Sequence, residues 1–105
     1  MITLFIINRL NVLKLKEKLS KMYKVISIEK AKYIDDYKIY LLFNDGKKNI
    51  IDFKNFIVKS QHPDIQKYKD LNLFKNFNLE YGEIEWNDYD LTFPIYDLYN
   101  GTIEH

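Results

Sequence analysis

The chain has no cysteine, a single arginine, two prolines and three glycines among 105 residues. Lack of cysteine removes disulfides, thiolate catalysis and cysteine-type zinc sites together, and it agrees with a cytoplasmic location. The near-absence of arginine removes the commonest reader of base edges in DNA. No glycine-rich phosphate loop is present, and the two histidines, His62 and His105, fall in a loop and at the terminus. Neither sits in a pattern that suits catalysis or metal binding, so no catalytic residue, no metal and no cofactor is expected. Long apolar runs are missing too. Residues 1–7 are apolar but too short to span a bilayer, and Arg9 follows the run where a signal peptide would place its charge in front. No membrane partner is expected. No repeat, low-complexity tract or internal linker interrupts the chain.

What is present is an ordinary folded composition, 47% apolar and 30% charged, with nine tyrosines and seven phenylalanines. Aromatic side chains favour strands and bury large areas in a small core. The net charge of +1 hides a split. Residues 1–32 carry eight Lys or Arg against two acids, whereas residues 80–105 carry seven acids and no Lys or Arg. Two readings are open: the ends fold together and neutralise, or one end meets a charged partner.

Residues 9–21 have helical spacing of Leu10 and Leu13, with a second stripe at Leu15 and Leu19 and no Gly or Pro. This predicts a basic amphipathic helix. Such a helix either packs on its own domain or lies on a membrane or on nucleic acid, in which case Lys14, Lys16, Lys18 and Lys21 are the contact residues. Residues 23–28 read as a strand and residues 29–36 as a polar link. The best-defined stretch is 37–53, where Asn44-Asp45-Gly46 separates two apolar runs. Asp-Gly between such runs predicts a hairpin with a type I′ turn. Both faces of the first arm are apolar, which predicts a central strand. A short helix or turn is expected over 53–58. Capping by Asp64 or by Asp70 suits the short helices that follow. Residues 78–81 and 83–86 read as two short strands around a bend at Gly82. Alternation puts Glu83 and Glu85 on a solvated face and Ile84 and Trp86 opposite. Asn87-Asp88 makes a turn, Pro94 starts a last helix, and Asn100-Gly101 stops it.

The order of these features resembles a bacterial family known only as domain of unknown function 2442. The resemblance runs over residues 23–99. It is carried by the strand Tyr23-Lys24-Val25-Ile26-Ser27-Ile28, by Phe43-Asn44-Asp45-Gly46, and by Asp52 before the mid-chain helix. Leu73-Phe74, Gly82-Glu83-Ile84-Glu85-Trp86, Asp90-Leu91 and Leu98-Tyr99 complete it. This chain departs from the family pattern after the tryptophan, with Asn87-Asp88-Tyr89 where Pro-Asn-Gly is common. The resemblance implies a small α+β domain and no established activity. Some members look like halves of two-gene, toxin–antitoxin-like cassettes, which implies a regulatory, partner-binding role.

The expected fold is therefore α+β: an antiparallel sheet of about five strands around the Asp45-Gly46 hairpin, with short helices. Residues 1–22 form an N-terminal helical extension and 23–105 a single domain. The expected function is a non-enzymatic interaction module, the antitoxin-like half of a cassette. It docks a basic, toxin-like protein through Glu83, Glu85, Trp86, Asp88, Asp90, Tyr96 and Tyr99. For Trp86 a buried place in the core is the favoured alternative. A nucleic-acid binder using the lysines of the N-terminal helix is the rival, and a homodimer through an unpaired sheet edge also fits.

Overall fold

The computed structural model describes residues 25–103. The N-terminal helix, its four lysines and the start of the first expected strand lie outside the described residues. Six strands form two antiparallel three-stranded sheets rather than one sheet of about five. The first sheet has the order β1 (Ile28–Asp35), β2 (Lys38–Phe43), β3 (Lys48–Asp52). Helices α1 (Lys54–Lys59), α2 (Pro63–Gln66) and α3 (Leu71–Phe74) follow, with a 3₁₀ turn at Lys67–Lys69. The second sheet has the order β4 (Phe77–Glu80), β5 (Glu83–Trp86), β6 (Leu91–Thr92), and α4 (Ile95–Asn100) closes the fold.

β2 is the central strand of its sheet, as its two apolar faces predict. Its hairpin with β3 forms where Asp45-Gly46 places it, but the turn type differs. Gly46 alone in the loop has positive φ, at 93°. Phe43 O accepts from Gly46 N, and Phe43 N donates to Lys47 O. This is a three-residue loop ending in a left-handed glycine, not a two-residue type I′ turn. The type I′ geometry sits instead at Tyr81-Gly82, where φ is 52° and 80° and Glu80 pairs directly with Glu83.

β1 corrects the expected polar link. The strand runs through residues 28–35, and register shifts at Ile28/Lys30 and Tyr33/Asp35 break its alternation. An edge strand with charged side chains and two irregularities does not show the period-2 signal of a regular strand. Asp70 caps α3 by accepting from Asn72 N at 2.9 Å. α2 is capped by His62 and not Asp64, because Pro63 occupies its first position; His62 Nδ1 accepts from Asp64 N.

The sheets share one core. Ile39, Leu41, Phe43 and Ile51 from the first meet Ile84, Trp86 and Leu91 from the second, with Phe53, Ile57 and Phe74 between them. Trp86 is fully buried among Phe53, Tyr68, Phe74, Phe77 and Phe93, and its indole N–H donates to Phe74 O at 2.7 Å. A buried indole needs that acceptor. The sheets are joined where residues 25–27 cross the β4–β5 turn. Ile28 N donates to Gly82 O at 2.8 Å. Asn44 clasps the same segment: its side chain accepts from Ser27 N and donates to Val25 O, and its N–H donates to Ser27 O.

Candidate functional site

Backbone pairing fixes which side chains share the outer face of the second sheet. Asn78 pairs with Glu85 and Glu85 with Thr92, while Glu80 pairs with Glu83. The opposite face carries Phe77, Ile84, Trp86 and Leu91 and turns to the core. The outer face therefore holds three glutamates on two adjacent strands. Glu80 and Glu83 stand directly opposite one another beside the turn, and both are exposed. Directly opposed like charges weaken a sheet. Tyr81, at the tip, is 94% exposed.

Glu85 does not stay on the solvated face. It is 3% exposed, because the loop after Trp86 folds back over it and Tyr89 N donates to Glu85 Oε2 at 2.7 Å. The parity argument places it on the right face; the covering loop is what parity cannot supply. In that loop Asn87, Asp88 and Tyr89 all have positive φ, between 51° and 66°. Asn and Asp tolerate this conformation, whereas a tyrosine held there is strained. The buried carboxylate supplies the acceptor that holds the loop. Loss of water around the Tyr89 phenol, and then the negative charges of Glu80, Glu83 and Glu85, raise its pKa. The Tyr89 ring thus belongs to the acidic patch.

Other expected docking residues separate. Trp86 is in the core and presents nothing to a partner. Asp90 binds Lys67 Nζ at 2.5 Å, which holds its carboxyl below the usual range and raises the lysine. Tyr96 and Tyr99 lie on α4, which is fastened to the first sheet: Asn49 Nδ2 donates to Leu98 O, and Tyr99 Oη donates to Asp45 Oδ2. Asp90 and Tyr96 are exposed too, but Asp90 is held by Lys67 and Tyr96 lies on α4, so Glu83 on the outer face and Asp88 in the loop over it are the exposed members of the expected set that stay with this patch. Glu80, Tyr81 and Tyr89 join them. The cue for Glu80 lay in the sequence: a two-residue turn at Tyr81-Gly82 makes residues 80 and 83 partners.

A shallow cleft of about 390 Å³ opens next to the same loop, between Lys67, Asn76, Asn78, Asn87 and Asp88. Its lining mixes these amides and charges with Tyr68, Leu73 and Trp86. No group of three His, Cys, Asp or Glu side chains among the described residues is placed to hold a metal ion. No described helix is long and apolar enough to cross a membrane.

A glycine-turn strand Gly82-Glu83-Ile84-Glu85-Trp86 in an antiparallel α+β frame defines a class of small domains. The family described as Protein of unknown function (DUF2442) matches residues 28–104, and the chain belongs to it. No curated protein and no solved structure matches the chain.

Proposed function

We propose that the protein is a non-enzymatic interaction module that docks a basic protein partner through the outer face of its second sheet. The observation that carries this reading is the Glu80–Glu83 pair, two exposed carboxylates opposed across a tight turn with no cation bridging them among the described residues. Such a pair costs the isolated fold stability and lowers its energy only against positive charge. Tyr81 and Tyr89 add aromatic area of the kind that anchors protein interfaces. Opposed charge steers association and disfavours wrong partners. The partner is the toxin-like product of a two-gene cassette, as resemblance to the family implies, and the site of action is cytoplasmic.

The test is co-purification with the product of the adjacent gene. The native chain co-elutes with it at low salt. Glu80→Lys combined with Glu83→Lys weakens the complex at least about tenfold. Equal binding by the double variant refutes the proposed face.

A further inference from the structure

The first sheet also has an outer face, of the opposite sign. Pairing across its three strands sets out three rows: Lys30–Leu42–Lys48, Lys32–Tyr40–Ile50 and Asp35–Lys38–Asp52. The alternate rows, Ala31–Leu41–Asn49 and Tyr33–Ile39–Ile51, point to the core. Tyr40, Leu42 and Ile50 take no part in that core, and Ile50 is 58% exposed. Lys30, Lys32 and Lys48 are exposed, and none is ion-paired with a carboxylate among the described residues. Lys38, by contrast, stands between Asp35 and Asp52. The result is an apolar strip with one ring at its centre and three lysines on its flanks, none of them ion-paired among the described residues.

We propose that this face binds single-stranded nucleic acid without sequence preference. Charge complementarity selects a polyanion. The ring of Tyr40 among the lysines then selects among polyanions. An unpaired base lies flat on an aromatic ring while lysines hold its phosphates, and Tyr40 stands in the middle row with Lys32 beside it and Lys30 and Lys48 in the next row. Lys30 and Lys32 stand about 7 Å apart along β1, and Lys30 and Lys48 about 10 Å apart across β2, by ordinary strand spacings. A strand of nucleic acid running along the sheet therefore meets lysines on both sides of Tyr40. With no arginine among the described residues, the contacts favour phosphate and base stacking over the reading of base edges. This binding surface is separate from the acidic face, and it does not depend on the lysines of the N-terminal segment.

The experiment is fluorescence anisotropy of the full chain with labelled twelve-nucleotide oligo(U) and oligo(dT), and with a duplex of the same length, at 50 and 200 mM salt. Three phosphate contacts give a salt slope of about −2, or a loss of about 20-fold over that range. The variant Lys30→Gln/Lys32→Gln/Lys48→Gln removes that slope and at least about tenfold in affinity. The control Lys14→Gln/Lys16→Gln/Lys18→Gln/Lys21→Gln leaves the slope due to the sheet in place. Tyr40→Leu lowers single-strand affinity about fivefold or more, and Tyr40→Phe restores it. Unchanged binding by the sheet variant, or duplex bound as tightly as single strand, overturns the proposal. Displacement of the oligonucleotide by poly-glutamate at equal charge concentration assigns the face to an acidic protein and overturns it as well.

Discussion

Substituting Gly82 by alanine tests how the two sheets are joined. Gly82 has φ of +80°, and a Cβ built there falls 2.6 Å from Ser27 Cβ. Carbon atoms in contact normally stand about 3.5–4.0 Å apart. Ser27 cannot retreat cheaply: its N–H and C=O both bond to Asn44, and the next residue bonds to Gly82 O. The left-handed conformation costs an alanine about 1–2 kcal/mol, and overpacking a fixed contact adds about 1–3 kcal/mol. A loss of about 3 kcal/mol is a large part of the stability of a domain this size. It lowers the melting temperature by more than about 10 °C. Gly46 is the internal control. Its φ is +93°, but nothing lies within 4 Å of an added Cβ, so Gly46→Ala carries the backbone cost alone. Urea unfolding followed by Trp86 emission measures both. Adding Ser27→Gly to Gly82→Ala removes the clashing carbon and gives a coupling above about 1 kcal/mol. The reasoning is refuted if Gly82→Ala is no worse than Gly46→Ala, or if the two sites prove additive.

Glu85→Ala leaves Tyr89 N–H without its buried acceptor and costs about 2 kcal/mol, while Glu85→Gln keeps an acceptor and costs less than about 1 kcal/mol; denaturant midpoints decide. Asp45 is held below the usual carboxylate range first by the Tyr99 hydroxyl, and Asp90 first by Lys67. Both folded values are depressed, so their stabilisation is complete above the ordinary aspartate pKa of about 3.9 and is lost as pH falls through the lowered values. Asp45→Asn with Asp90→Asn therefore flattens the acid limb of a melting-temperature profile below about pH 4, and an unchanged limb refutes both assignments. Glu80→Gln relieves the repulsion across the turn and raises stability by a few tenths of a kcal/mol at low salt, an increment that vanishes in high salt.

The legible parts of the fold were those with local chemistry. Asn44-Asp45-Gly46 marks a hairpin because few residues turn a chain between apolar runs, and apolar residues on both faces of 37–43 mark a central strand. Gly101 ends α4 with φ of +71°, as a left-handed cap should. The turn type at Gly46 was not legible, since Asp-Gly suits both a two-residue loop and a three-residue loop ending in glycine. β1 was hidden because its charges face solvent on an edge and its register slips twice. How the two sheets meet depends on the Ser27–Gly82 approach, a contact between residues far apart in sequence. The same limit applies to the candidate site. The carboxylates of residues 83 and 85 were readable as one face. That Glu85 is buried depends on a left-handed path through Tyr89, a residue with no intrinsic preference for it.

Two small sheets sharing one core leave two outer faces that the described helices do not cover. Most apolar side chains of each sheet turn inward, Tyr40, Leu42 and Ile50 excepted, and the four short helices of the described residues pack around that core. Sign then becomes informative. Lysines stand beside Leu42 and Tyr40 on one face, and glutamates oppose each other on the second. Mixing the signs across each face would have stabilised both sheets through cross-strand pairs, as Asp35, Lys38 and Asp52 do at one end of the first. The fold instead keeps like charges together at the cost of that pairing. Such separation is expected where each face is completed by a molecule of opposite charge, and a basic protein and a polyanion would then bind without competing for the same side chains.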